Sequence, residues 1–141
     1  MTEVKKQLPI ITSSDRAYWE GAKRHELMAY QCLNCGAFYY PAIHCLSCDK
    51  PKMEWVKVSG RGRVYTFVIY HQVYHPAWKE EIPYNVTWVK MDEGPILLSN
   101  VVECKNEDIS IGMPVEVVFD DVTEEVTLPK FKPVKTAKAK K

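Results

Sequence analysis

Four of the five cysteines fall in two pairs, Cys32-x2-Cys35 and Cys45-x2-Cys48, with nine residues between the pairs. A C-x2-C spacing lets two thiolates face one point from a single tight turn. Two such knuckles complete the tetrahedral sulfur shell that a structural zinc prefers. Gly36 follows the first pair, where the turn needs a positive φ. With Cys32, Cys35, Cys45 and Cys48 as the ligands, no position remains for water, so a structural Zn(II) is expected rather than a catalytic one. Iron in a rubredoxin-like redox centre is the rival, because the same four thiolates bind it. His44 is read as a bystander beside Cys45. Cys104, far along the chain in an expected strand, is read as a small buried apolar residue outside the site. Residues 32–52 hold too few large apolar side chains to keep a fold without a staple, so the metal has a structural task.

No catalytic set accompanies the thiols. His71 and His75 flank a loop that also carries Trp78, Glu80 and Glu81, but nearness in sequence does not make an acid–base pair. Gly60-Arg61-Gly62 is too short for a phosphate loop and reads as a strand kink. Arg61 and Arg63 are the only arginines after residue 24, and both lie at that kink. They can meet a phosphate or a partner's carboxylate; solvent exposure is the plainer reading.

The elements that must hold these groups follow from the pattern. Residues 1–12 read as an arm. Asp15–Glu26 predicts a short amphipathic helix with Tyr18, Trp19 and Ala22 together, weakened by Gly21. Leu27–Gln31 is extended and leads into Cys32, and residues 32–52 leave little room for regular structure. Strands are then expected at Glu54–Ser59, Arg63–Tyr74, Tyr84–Met91, Ile96–Glu103 and Val115–Phe119. Asp92-Glu93-Gly94-Pro95 and Gly112-Met113-Pro114 supply turns. No helix-length segment separates these strands, which excludes a parallel sheet and implies a small antiparallel barrel. Five strands suit an OB-type Greek key; an SH3-like barrel fits the pattern too. Strand alternation places many of the barrel aromatics in its core. The reading is mainly β, divided as arm and helix (1–31), ribbon (32–52), barrel (53–129) and a basic, disordered tail (130–141).

Charge narrows the partners. The chain is 46% hydrophobic, 26% charged and carries a net +1, which suits a soluble globular protein. Residues 53–129 nevertheless hold six basic against thirteen acidic residues, and residues 130–141 hold six lysines and no acid. An OB barrel invites a single-stranded nucleic-acid reading, but an acidic barrel lacks the footprint of a polyanion binder. The lysine tail reads as solvated. No apolar run approaches the roughly 20 residues of a membrane span, and the first residues lack a signal-peptide pattern. A cytoplasmic protein with no membrane partner is expected.

Taken together, the ordered motifs Tyr18-Trp19-Glu20-Gly21-Ala22, the two cysteine knuckles, Val58-Ser59-Gly60-Arg61-Gly62-Arg63, Pro83-Tyr84, Ile111-Gly112-Met113-Pro114 and Pro129-Lys130-Phe131-Lys132-Pro133 resemble the thiolase-associated zinc-ribbon/OB-fold proteins, domain-of-unknown-function family thirty-five. The resemblance spans residues 13–133. It implies an N-terminal helical arm, a rubredoxin-like zinc ribbon and a C-terminal five-stranded OB-fold barrel. It also implies a non-catalytic acyl-CoA-binding or scaffolding subunit that partners a thiolase-like acyl-CoA enzyme. Under that reading Arg61 and Arg63, with His75, Trp78 and Lys79 from the following loop, are the candidates for contacting an acyl-CoA, provided folding brings them to one barrel mouth. The alternatives are a single-stranded nucleic-acid-binding OB protein and a rubredoxin-like redox protein.

Overall fold

The computed structural model describes residues 7–39, 45 and 48–134. One helix, α1 (Arg16–Lys23), precedes eight strands: β1 (Met28–Cys32), β2 (Phe38–Tyr39), β3 (Met53–Lys57), β4 (Arg61–Tyr70), β5 (Tyr84–Met91), β6 (Ile96–Ser99), β7 (Pro114–Asp121) and β8 (Thr127–Pro133). The protein is mainly β, as expected. No described helix is long and apolar enough to cross a membrane.

Helix α1 is shorter than the pattern predicts because two local devices close it. Asp15 Oδ1 accepts from the Thr12 amide (2.8 Å) and hydroxyl (3.0 Å), fixing the turn before the helix. At the other end His25 takes φ +63°. Its amide donates to Ala22 O (2.8 Å) and the Glu26 amide to Gly21 O (2.8 Å), the pairing of a Schellman stop. Gly21 is there for packing: a Cβ would collide with Met28 Cγ, so the small residue lets β1 lie close against the helix.

Strands form two sheets. β1 is the centre of an antiparallel three-stranded sheet ordered β2-β1-β3, with Tyr30 opposite both Tyr39 and Trp55. The second sheet is ordered β6-β5-β4-β7-β8. It curls until β8 meets the end of β6 through the parallel bridge Val101–Phe131. Phe131 N donates to Asn100 O (3.0 Å) and Val102 N to Phe131 O (2.7 Å) across that seam. Four antiparallel pairings closed by one parallel contact are the expected OB-type Greek key.

The strand pairing differs from the strands expected. Residues 53–57 pair with β1 (28–32) in the three-stranded sheet. The barrel's fifth strand is β8 instead, so residues 130–133 are paired strand and not tail; Lys130 faces Val118 and Lys132 faces Glu116. Pro129 and Pro133 misled the reading: at a strand paired along one main side they cost no ladder bond. The remainder of the tail, 135–141, lies outside the described residues, as do Pro41, His44, Leu46 and Ser47.

One core serves both sheets. Leu27 and Ala29 from the ribbon side join Val64, Val89, Met91 and Phe131 of the barrel in a single buried cluster, with Tyr18 and Phe38 packed against it. The expected aromatic core is absent. Tyr65, Tyr74 and Trp88 are exposed, and valines with Met91 and Phe131 fill the centre. β4 also carries a register shift between Val64 and Thr66. Tyr65 is the extra residue, and past it the alternation of β4 flips, turning Phe67 inward and Val68 outward.

Candidate functional site

The first knuckle is built by backbone geometry. After β1 the chain reverses: Gly36 N donates to Cys32 O (2.7 Å) and Cys32 N to Ala37 O (2.9 Å). Gly36 sits at φ +86°, the left-handed conformation that the sequence pattern asked for. Leu33 N donates to Lys52 O (2.8 Å), tying this turn to the segment that returns into β3.

That arrangement gathers three sulfurs. The Sγ atoms of Cys32, Cys35 and Cys45 lie within 4.8 Å of one another, and Cys35 and Cys45 are 3.4 Å apart. Thiolates at ~2.3 Å from one tetrahedral ion stand ~3.8 Å from each other, so the trio fits a common centre. Cys32 and Cys45 are buried while Cys35 is exposed. Backbone N–H groups aimed at the Cys32 sulfur, that of Lys52 foremost and then those of Cys35 and Asn34, hold its thiol below the ordinary range against the opposing effect of burial. This favours the thiolate that a metal needs. Cys48 falls outside the trio; its Sγ accepts from Asn34 Nδ2 (2.9 Å), which places it beside the first knuckle. The Tyr39 hydroxyl lies 3.4 Å from Cys45 Sγ.

Cys104 sits in a bend, not in the strand expected there. β6 ends at Ser99, and Glu103 adopts φ +55°. Its thiol is pushed up by burial and by the nearby Asp108 carboxylate, and it donates to Lys105 O (3.4 Å). It takes no part in the sulfur cluster.

The five expected ligand contacts do not converge. Arg61 and Arg63 occupy the first turns of β4, whereas His75, Trp78 and Lys79 follow its last residue, Tyr70. Seven residues of strand at ~3.3 Å each put roughly 20 Å between the two groups. One Arg63 guanidinium nitrogen donates to Gly112 O (2.9 Å). The Gly60 position is required by close packing: at φ +78°, a Cβ there would stand 2.5 Å from Val117 Cγ1. In the loop, Pro76–Trp78 forms one 3-10 turn, and His75 Nδ1 accepts from the Ala77 amide (3.1 Å). That fixes His75 as a cap. Trp78 packs on Tyr84 (5.1 Å between ring centroids), which stacks on Tyr70 (5.2 Å), which in turn meets Tyr74 edge-on (5.7 Å). An open groove of about 560 Å³ lined by Val68, Tyr70, His71 and Tyr74 runs beside this stack.

Sequence reading missed a buried polar knot at the barrel seam. Asn85 Nδ2 donates to Val101 O (2.8 Å), and its Oδ1 accepts from Val101 N (2.8 Å) and Thr87 Oγ1 (2.7 Å). A polar pair spaced i, i+2 on a strand is the only signal it leaves, and that reads as a solvent face.

Known proteins place these features in one frame. The ChsH2 rubredoxin-like zinc ribbon domain matches residues 19–54, and the ChsH2 C-terminal OB-fold domain matches residues 55–120. A DUF35 domain-containing scaffold protein of Methanocaldococcus jannaschii is 36% identical over 125 residues, covering 82% of this chain and 88% of that protein. A probable enoyl-CoA hydratase alpha subunit of Thermomonospora curvata is 36% identical over 121 residues, 84% of this chain but 37% of that longer protein. Among solved structures, the Ltp2-ChsH2(DUF35) aldolase superposes with a TM-score of 0.79 at 32% identity, covering 89% of this chain and 98% of the matched one. The chain therefore belongs to the DUF35 family, as a ChsH2-type union of a rubredoxin-like zinc ribbon and an OB fold.

Proposed function

We propose that this protein is a non-catalytic accessory subunit of an acyl-CoA enzyme, cytoplasmic, with a thiolase-like enzyme as its partner. The observation that carries the reading is the near-complete superposition on the DUF35 chain of the Ltp2-ChsH2(DUF35) aldolase, whose name joins such a chain to an enzyme. The scaffold and hydratase-subunit names of the relatives agree. In this reading Cys32, Cys35 and Cys45, joined by Cys48, hold one Zn(II). Bound there, the ion supplies a structural cross-link. The cysteines bring the two knuckles together, and the N–H groups around Cys32 favour its thiolate. The acyl-CoA belongs to a site shared with the partner. On this chain, the loop of His75, Trp78 and Lys79 beside the Tyr70–Tyr74 stack offers faces for an adenine and one cation for a phosphate; Arg61 and Arg63 stand too far away to join it.

The test is a pair of titrations at matched salt, with acetyl-CoA and with single-stranded DNA, each with and without a thiolase-like acyl-CoA enzyme from the same organism. A stoichiometric complex that responds to acetyl-CoA is expected. DNA binding that survives removal of residues 135–141, with no response to enzyme or CoA, overturns the reading. Metal analysis should return one equivalent of zinc; a red protein with reversible redox absorbance would indicate iron and a redox role instead.

A further inference from the structure

Strand β5 turns Asn85, Thr87, Val89 and Met91 inward and Tyr84, Val86, Trp88 and Lys90 outward. Its outward face therefore shows a tryptophan to water although the sheet has a core on its other face. Neighbouring strands extend the exposed apolar surface in register. Trp88 (47% exposed) lies opposite Leu98 (55%) on β6 and Thr66 on β4, and the next row pairs Val86 with Val68 (51%). The Tyr65 bulge is what turns Val68 outward. Across β6, a cavity of about 440 Å³ between this surface and Tyr18 and Trp19 of α1 carries the apolar character on toward the helix. The strip is about 20 Å long and about 10 Å wide from strand geometry, a part of the roughly 800 Å² that each partner buries in a standard interface.

Its charged end is more specific. Arg63 and Lys90 are direct cross-strand partners on the same outward face, one row from Trp88. Like charges placed opposite each other destabilise a sheet. Among the described residues neither has an ion-pair partner. The outward positions of β5 and β6, and those of β4 from Arg63 onward, contain no carboxylate. Asp15, at the far margin beyond β6, is already engaged by Thr12. A second copy laid on the strip face to face through its own strip would bring cations and no acid to it.

From this we infer that the outward face of β4, β5 and β6 is the surface on which the partner enzyme docks, with an apolar patch of that protein over Trp88, Val68 and Leu98 and a carboxylate of that protein between Arg63 and Lys90. The inference rests on the accessory-subunit reading and assigns it a surface. A nucleic acid fits less well, since the cations stand at one end and the centre of the strip is uncharged.

The experiment measures binding of this chain to a purified thiolase-like acyl-CoA enzyme from the same organism, by titration calorimetry at two salt concentrations, for the wild type, Val68→Glu, Leu98→Glu and Lys90→Glu. Both apolar-site variants expose the new carboxylate to water, so circular dichroism and metal content should match the wild type. Each should weaken the complex at least tenfold, and Lys90→Glu should weaken it and flatten its salt dependence. Wild-type affinity in all three variants overturns the surface while leaving the accessory-subunit reading intact. Absence of any complex with the wild type removes both. Dimerisation of the chain alone that Val68→Glu abolishes, or single-stranded DNA binding that it abolishes, would assign the strip to those occupants and overturn the proposal.

Discussion

His25 shows how one residue can hold a strained backbone because of what its side chain reaches. The left-handed conformation costs a non-glycine residue roughly 1 kcal/mol. Here the ring stacks on Phe119 at 5.1 Å and 9°, and Nε2 lies 3.1 Å from both Asp121 carboxylate oxygens. Asp121 also accepts from Thr127 Oγ1 at 2.7 Å. The Thr127 hydroxyl foremost, then His25, lower the Asp121 pKa below its ordinary 3.8. A depressed carboxylate pKa means the unfolded chain binds that proton first as pH falls. The stabilisation is therefore complete above 3.8 and disappears as pH drops through the folded-state value. Asp121→Asn is expected to flatten the dependence of thermal stability on pH below about 4 and to leave it unchanged near neutrality, measured by melting across a pH series. A second residue-scale outcome concerns the thiols: Cys35→Ser should release the bound metal and loosen the knuckles while the far-ultraviolet strand signal persists, read by metal analysis and circular dichroism together.

At the scale of elements, Asn85 matters more than its neighbours suggest. Its side chain satisfies the Val101 amide and carbonyl where β5 passes the closing seam, and the Asn100 amide returns the favour at Asn85 O. Asn85→Ala would leave several buried groups without partners, for an expected loss of about 3 kcal/mol, measurable by urea denaturation of the full chain. The same segment shows where sequence reading stops. The first cysteine knuckle, the turn at Gly94 and the range of β5 were legible because spacing and turn chemistry are local signals. The aromatic core, the length of β6 and the assignment of β3 were not. A one-residue bulge at Tyr65 reverses every later side chain of β4, and no local pattern distinguishes a bulge from a continued strand. β3 reads as a barrel strand by composition, yet its partner, β1, lies before the knuckles.

For the whole molecule, one core joins the strand that enters the ribbon to the barrel. Among the described residues of 32–52 only Phe38 packs against that core, so the knuckles rest on their thiols. But Leu27 and Ala29, on the strand that enters them, are buried among barrel residues, and Val58 N donates to Leu27 O at 2.9 Å. Leu27→Ala is expected to cost about 2–4 kcal/mol. It should shift the unfolding of ribbon sheet and barrel together, seen as coincident transitions in tryptophan fluorescence and circular dichroism; separate transitions would restore the two-module view. The five candidate ligand contacts teach a related lesson. Arg61 and Lys79 are eighteen positions apart in sequence, and proximity of that kind suggested a single mouth, but a ten-residue strand runs between them and carries the groups to opposite ends.

Phe131, completely buried at the middle of the cluster, lies on the last described strand, whereas Leu27 lies on the approach to the first. A chain emerging from the ribosome exposes its ribbon sheet and four barrel strands before the side chain that fills their common centre exists. The thiols of the knuckles then have time to capture an ion while β1 and β3 are still poorly anchored. With the metal site proposed above, metal supply during synthesis, and not only the finished fold's affinity, is expected to set how much of the protein reaches its native state. Expression in metal-depleted medium should lower the soluble yield more than chelation of the folded protein lowers its stability.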